Sequence, residues 1–82
     1  MKVQILGTGC SKCKKLFEQV EKAVAQAGVV AQMEKVEEIR EIMKFGVPMT
    51  PALAVNGEVK SAGRIPETKE IVTWLMDAAA KE

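Results

Sequence analysis

The sequence predicts an α/β fold in which one four-stranded mixed sheet carries helices on both faces. Three observations predict it. Apolar spacing alternates between the two-residue period of strands and the 3.6-residue period of helices, in the order β-α-β-α-β-β-α. A long helical stretch joins the first two strands, which must then run parallel with a right-handed crossover. Asn56-Gly57, the strongest short hairpin signal, makes the last two strands antiparallel.

The first strand, Lys2 to Leu6, carries Val3, Ile5 and Leu6. Gly7-Thr8-Gly9 breaks its pattern. From Ser11 to Ala27, Leu16, Phe17, Val20, Ala23, Val24 and Ala27 recur at helical spacing, and Gly28 stands where a helix-ending glycine belongs. Residues 29–36 read as the second strand, with Gln32 and Glu34 alternating with apolar residues. Residues 37–45 read as a short helix with Ile39, Ile42 and Met43 on one face. Glu37 and Glu38 fall in its first turn, where the helix dipole favours negative charge. Gly46 ends it and Pro48 prevents its resumption. Ala52 to Val55 and Glu58 to Ala62 are the hairpin strands. Pro66 fits the first turn of a last helix, whose apolar face is Ile71, Leu75 and Ala78, flanked by Val72 and Met76.

Length and composition narrow the function. The 82 residues suffice for one domain, 1–82, with a thin core. Twelve Lys and Arg nearly balance eleven Asp and Glu, so nothing asks for nucleic acid, a membrane surface or an acidic partner. The opening residues are too short and polar for a signal-peptide core of about 7–15 apolar residues. No stretch approaches the ~18 apolar residues of a membrane helix. The expectation is a cytoplasmic protein, in a compartment where a purely structural disulfide is unusual. Its two cysteines are then reactive or metal-binding. Histidine, the commonest general base and metal ligand, is absent.

Cys10-Ser11-Lys12-Cys13 stands where the first strand meets the first helix. A Cys-x-x-Cys beside a βαβ pattern reads as a redox motif. Helical geometry brings positions i and i+3 onto one face. This places Cys10 at the helix N-terminus and Cys13 behind it, towards the core. An ordinary cysteine is only about 3% thiolate at neutral pH. Unpaired N–H donors and the positive end of the helix dipole favour the anion, and such sites lower a cysteine pKa by about one to several units. Lys12 adds a cation. Cys10 thiolate would attack a disulfide, and Cys13 would resolve the mixed disulfide to leave a Cys10–Cys13 disulfide. This chemistry needs no cofactor and no metal.

Phe45-Gly46-Val47, Thr50-Pro51, Asn56-Gly57-Glu58 and Gly63, in that order behind a Cys-x-x-Cys, resemble the thioredoxin and glutaredoxin superfamily. Gly7-Thr8-Gly9-Cys10-Ser11-Lys12-Cys13 resembles the minimal thioredoxin-like proteins of anaerobic archaea and bacteria. The resemblance implies a thioredoxin-like fold and a protein-disulfide reductase. It implies that Pro51 is cis and faces the cysteine pair. It implies that the backbone of Thr50 pairs with substrate in the manner of an added strand. Thr8, Met49 and Gly63 become possible groove contacts. The implied partners are protein disulfides and a separate reductase as electron donor, with the chain a monomer. The chain departs from thioredoxins in having Gln4 where they keep a buried aspartate in the first strand, and Ser11-Lys12 inside the pair. Outside the motif, Arg64 reads as a solvated loop charge and Trp74 as packing at the rim of the core.

The first half also resembles a heavy-metal-associated domain, whose Cys-x-x-Cys carries Cu(I) between two soft thiolates. Against that alternative, Thr8 replaces the usual methionine. That family also has β-α-β-β-α-β order and ends in a strand, whereas residues 66–80 here read as a helix.

Overall fold

The computed structural model describes residues 1–9 and 11–82. Strand β1 (Lys2–Leu6) leads to helix α1 (Ser11–Ala27), β2 (Gln32–Val36), α2 (Ile39–Lys44), β3 (Ala52–Val55), β4 (Glu58–Ala62) and α3 (Thr68–Lys81). The sheet order is β2-β1-β3-β4. β1 pairs parallel with β2 and antiparallel with β3, and β3 pairs antiparallel with β4. The fold is therefore α/β with a four-stranded mixed sheet and three helices, in the order read from the sequence.

Strand alternation divides the core in two. Val3 and Ile5 of β1 and Leu53 and Val55 of β3 face α1 and α3, where Leu16, Val20, Ala23, Ile71 and Leu75 complete the main cluster. On the other face Leu6 and Ala52 meet Val36 and Ile42, with Phe45 and Val47 packed alongside. The β3–β4 hairpin turns through Asn56 and Gly57, with φ of 50° and 82°. Both lie in the left-handed region that a two-residue hairpin needs and that glycine and asparagine tolerate best. Asn56 also anchors the start of β1. Its backbone N–H donates to the Lys2 carbonyl at 2.8 Å, and its Oδ1 accepts from the Lys2 N–H at 2.9 Å.

Three boundaries differ from the sequence reading. β2 begins at Gln32, not at residue 29. The Gln32 N–H donates to the Met1 carbonyl at 2.8 Å, where the ladder with β1 begins, and Val30 is left 90% exposed. α2 begins at Ile39, because Glu38 is extended (φ −76°, ψ 127°), so Glu37 and Glu38 precede the helix. With fewer than two turns, α2 buries only Ile42, while Ile39 and Met43 are 63% and 70% exposed. Phe45 and Val47 fill the space that a longer apolar face would have taken. α3 begins at Thr68. Glu67 is extended, and its carbonyl accepts the first helical bonds from Glu70 and Ile71, leaving Pro66 buried in the preceding loop. Helix α2 follows β2 where the metal-carrier alternative has a strand, so its β-α-β-β-α-β order is not the order observed. No described helix is long and apolar enough to cross a membrane.

Because α2 is short, it covers only one end of its sheet face. Beyond it, the Gln4 amide donates to Glu34 Oε1 at 2.9 Å, and Lys2 pairs with Glu34 at 3.6 Å. The Gln4 hydrogen bond, followed by the Lys2 charge, holds the Glu34 carboxyl below the usual carboxylate range. These residues border an open groove of about 740 Å³ that extends to Lys35, Glu37, Glu41 and Phe45.

Two outcomes are expected. Leu53→Ala, in the centre of the main cluster, should destabilise the protein by about 2–5 kcal/mol in urea unfolding, whereas Met43→Ala should stay within about 0.5 kcal/mol. A depressed carboxylate stabilises the fold above its unfolded pKa and loses that contribution as pH falls through the folded value. Gln4→Ala should therefore raise the Glu34 midpoint towards the ordinary carboxylate range in an NMR titration and weaken the acid-side pH dependence. An unmoved midpoint would show that the hydrogen bond is not its main cause.

Candidate functional site

The sheet register brings four chain segments to one edge. Leu6 is level with Val36 on one side and with Ala52 on the other. The Gly7 N–H then donates to the Val36 carbonyl at 2.9 Å. Gly7 leaving β1, Glu37 leaving β2 and Pro51 entering β3 therefore lie close together, and α1 starts nearby at Ser11. In open α/β sheets the crevice outside the carboxyl ends of parallel strands is where ligands bind.

Cys13, the third residue of α1, is buried at 7% exposure. It packs directly on Gly7. A Cβ on Gly7 would collide with the Cys13 sulfur, and Pro51 Cα lies 3.9 Å from the same point. No side chain fits at position 7 while Cys13 is in place, which is why a glycine stands there. The Thr50–Pro51 peptide bond is cis. Pro51 is buried, whereas Met49 and Thr50 are exposed. The Pro51 carbonyl accepts the Gly63 N–H at 2.9 Å. Met49 lies over Gly63, with its Cβ and Sδ at 3.1 and 3.2 Å from where a Cβ on that glycine would stand. Cys13, Gly7 and Pro51 thus form one contact set, and Pro51, Gly63 and Met49 continue it outward.

The remaining residues singled out by sequence are less central. Thr8 and Lys12 are exposed, on the loop and on the first turn of α1. Cys10 lies outside the described residues. Arg64 donates from Nη1 to Glu70 Oε2 at 2.9 Å, and Trp74 packs against the main core.

Sequence reasoning missed the other wall of the site. A cavity of about 140 Å³ beside Cys13 is lined by Ile5, Gly7, Gly9, Lys14, Lys35 and Glu37 as well. Glu37 Oε2 stands 3.2 Å from where a Cβ on Gly9 would be. Lys35 Nζ sits 4.8 Å from the Phe17 ring centroid, a cation–π contact that ties β2 to α1. Topology carried the missing signal. Parallel pairing of β1 with β2 puts the residue after Val36 beside the residue after Leu6. Among the described residues, no group of three or more His, Cys, Asp or Glu could hold a metal ion.

Chemically, the arrangement is a buried thiol at a helix start, walled by glycine and a cis-proline loop, with a carboxylate and two ammonium groups around its cavity. A family model described as a thioredoxin domain matches residues 1–76. The thioredoxin of Methanothermobacter thermautotrophicus is 42% identical over 71 residues, which cover 87% of this chain and 92% of that protein. The thioredoxin of Methanocaldococcus jannaschii is 39% identical over 69 residues, covering 84% of this chain and 79% of that one. With the family model matching residues 1–76 and both relatives similar over most of its length, the chain belongs to the thioredoxin family, and so in general terms to the thiol–disulfide oxidoreductases.

Proposed function

We propose that the chain reduces protein disulfides by dithiol exchange, with Cys10 as attacking thiol and Cys13 as resolving thiol. The single observation that carries this is the seat of Cys13, one turn into α1, closed in by Gly7 and beside the loop of Pro51.

In the first step the Cys10 thiolate attacks one sulfur of the substrate disulfide. A mixed disulfide forms and the other substrate sulfur leaves as thiolate. In the second step the Cys13 sulfur attacks that of Cys10, the bond to substrate breaks, and reduced substrate departs. Two electrons have passed from the dithiol to the substrate. A separate reductase restores the dithiol, and no cofactor beyond the Cys10–Cys13 disulfide takes part. Lys12, exposed on the first turn, favours the Cys10 anion. Substrate lies along Thr50 and Pro51, pairing with the Thr50 backbone as an added strand, with Thr8, Met49 and Gly63 at the rim. Met49 is 62% exposed, and a flexible thioether suits varied partners. The protein acts as a monomer in the cytoplasm, where the thiol poise favours reduction of substrates.

The test is thiol titration and disulfide reduction on wild type, Cys10→Ser and Cys13→Ser. Wild type should show one thiol at least about one unit below the ordinary 8.5, absent in Cys10→Ser. Cys13→Ser should accumulate as a mixed disulfide with substrate. Tight Cu(I) binding lost equally in both variants, with negligible disulfide turnover, would overturn the reading in favour of metal carriage.

Gly7→Ala probes the seat itself. Overpacking against the Cys13 sulfur should cost about 1–3 kcal/mol and slow closure of the Cys10–Cys13 disulfide, followed as release of substrate thiol. An unchanged closure rate would show that the Gly7 contact does not set the position of Cys13.

A further inference from the structure

We infer that the disulfides this chain reduces are those flanked by carboxylate side chains on the partner protein, which dock on a basic face made by Lys12, Lys14 and Lys15 of α1 and Lys35 of β2. This rests on the dithiol reading above and adds the class of partner to it.

The near balance of Lys and Arg with Asp and Glu over the whole chain hides where the charges stand. Lys12, Lys14 and Lys15 are exposed on α1, immediately around Cys13 in the chain. In helical geometry Lys12 and Lys14 fall on opposite sides of Cys13, and Lys15 shares the side of Lys12. Lys14 lines the cavity beside Cys13, and Lys35 lines it from β2, with Glu37 as their counter-charge there.

The fold does not account for these lysines. α2 follows the helix dipole, with Glu41 in its first turn and Lys44 in its last, and α3 does the same with Glu70 and Lys81. α1 has no acidic residue in its first turn and no basic residue in its last. Lysines near a helix N-terminus face the positive end of the dipole and weaken the helix. Ion pairs do not offset this. Lys2, Lys44, Lys60, Arg64 and Lys69 each pair with a carboxylate, whereas Lys12, Lys14 and Lys15 have no carboxylate partner among the described residues. Helix stability is thus given up along the stretch of α1 that borders the site.

A ligand that matches this face must bring both negative charge and a disulfide. A nucleic acid or a lipid surface brings only the first. A protein with Asp or Glu beside its cystine brings both. The α2 side of the sheet fixes which way such a partner lies. There Glu34, Glu37, Glu38 and Glu41 border the open groove, and Lys2 and Lys44 are already paired with two of them. Carboxylates on the partner are drawn towards α1 and repelled from α2. Complementary charge of this kind acts mainly on the rate of encounter and on the choice of partner.

The test offers the reduced protein three peptide disulfides, alike except for Glu, Gln or Lys flanking each half of the cystine. Each rate is divided by that of the same peptide with dithiothreitol, which removes the effect of the flanking charge on the disulfide itself. The normalised kcat/KM should be at least about tenfold higher with Glu than with Lys, the low end of what electrostatic steering contributes, with Gln between. The preference should fade between about 0.1 M and about 1 M salt, as the screening length shrinks from about 10 Å to about 3 Å. In the double variant Lys14→Gln, Lys15→Gln the preference should fall, and the urea midpoint should equal or exceed that of wild type. Lysines that only stabilise the Cys10 thiolate predict instead that this variant slows all three peptides alike with the ratio unchanged. That result, or equal normalised rates in wild type, overturns the inference and leaves the dithiol reading standing. A lower urea midpoint assigns the lysines to the fold and overturns it too. A wild-type protein that reduces none of the peptides overturns the dithiol reading and the inference with it.

Discussion

Everything at the site depends on how β1 is locked between its neighbours. Leu6 is level with Val36 in one strand and with Ala52 in the other, and Gly7 extends the ladder by one bond to Val36. A slip of one residue would send Val3 and Ile5 to the α2 side and bring Gln4 and Leu6 against α1 and α3. Burial of Val3 and Ile5 in the main cluster forbids it. With the register held, the ends of three strands reach one level, and the residues just outside them become neighbours. Gly7, Glu37 and Pro51 are close because the sheet is in register; no contact among their own side chains is needed to gather them.

The two faces of the sheet are unequal, and the inequality shapes access to the site. β3 is buried throughout, yet it carries Leu53 and Val55 towards the two long helices and only Ala52 and Ala54 towards the other side. Small side chains suit the thin layer formed by a six-residue helix and the loop after it. That layer seals Leu6 and Val36 but stops short of Gln4 and Glu34, which satisfy each other by a hydrogen bond. The long helices close one side of the reactive edge, and the uncovered sheet on the other side opens to solvent.

The legible parts of the sequence were those governed by local rules. α1 runs from Ser11 to Ala27 because its apolar stripe and Gly28 both mark it. The hairpin follows from Asn56-Gly57, whose backbone adopts the positive φ that the pair suggests. The Cys-x-x-Cys and the Thr50-Pro51 loop were visible as motifs, and Cys13 and Pro51 meet at Gly7. What escaped was set by partners distant in sequence. The start of β2 is set by its register with β1, which the apolar run Val29-Val30-Ala31 does not reveal. The helical spacing of Ile39, Ile42 and Met43 suggested a buried stripe, yet the apolar site beneath holds only Ile42. Glu37 looked like a helix-dipole residue and stands in the wall of the thiol cavity, because α2 starts two residues later than its acidic pair suggested.

The seat of Cys13 also gives its sulfur a direction. In an α-helix each Cα–Cβ bond tilts towards the N-terminus, and side chains lean back over the preceding turn. Cys13 is the third residue of α1, so its sulfur leans past the helix start towards the loop that leaves β1. Gly7 bounds it on one side, and Pro51 is close to that same contact. Glu37, Lys14 and Lys35 share the remaining cavity. A larger residue at position 7 or a slip in the β1–β2 register would displace this sulfur without altering the cysteine itself. The place of the Cys13 sulfur is therefore set by the backbone of Gly7 as well as by the helix that carries it.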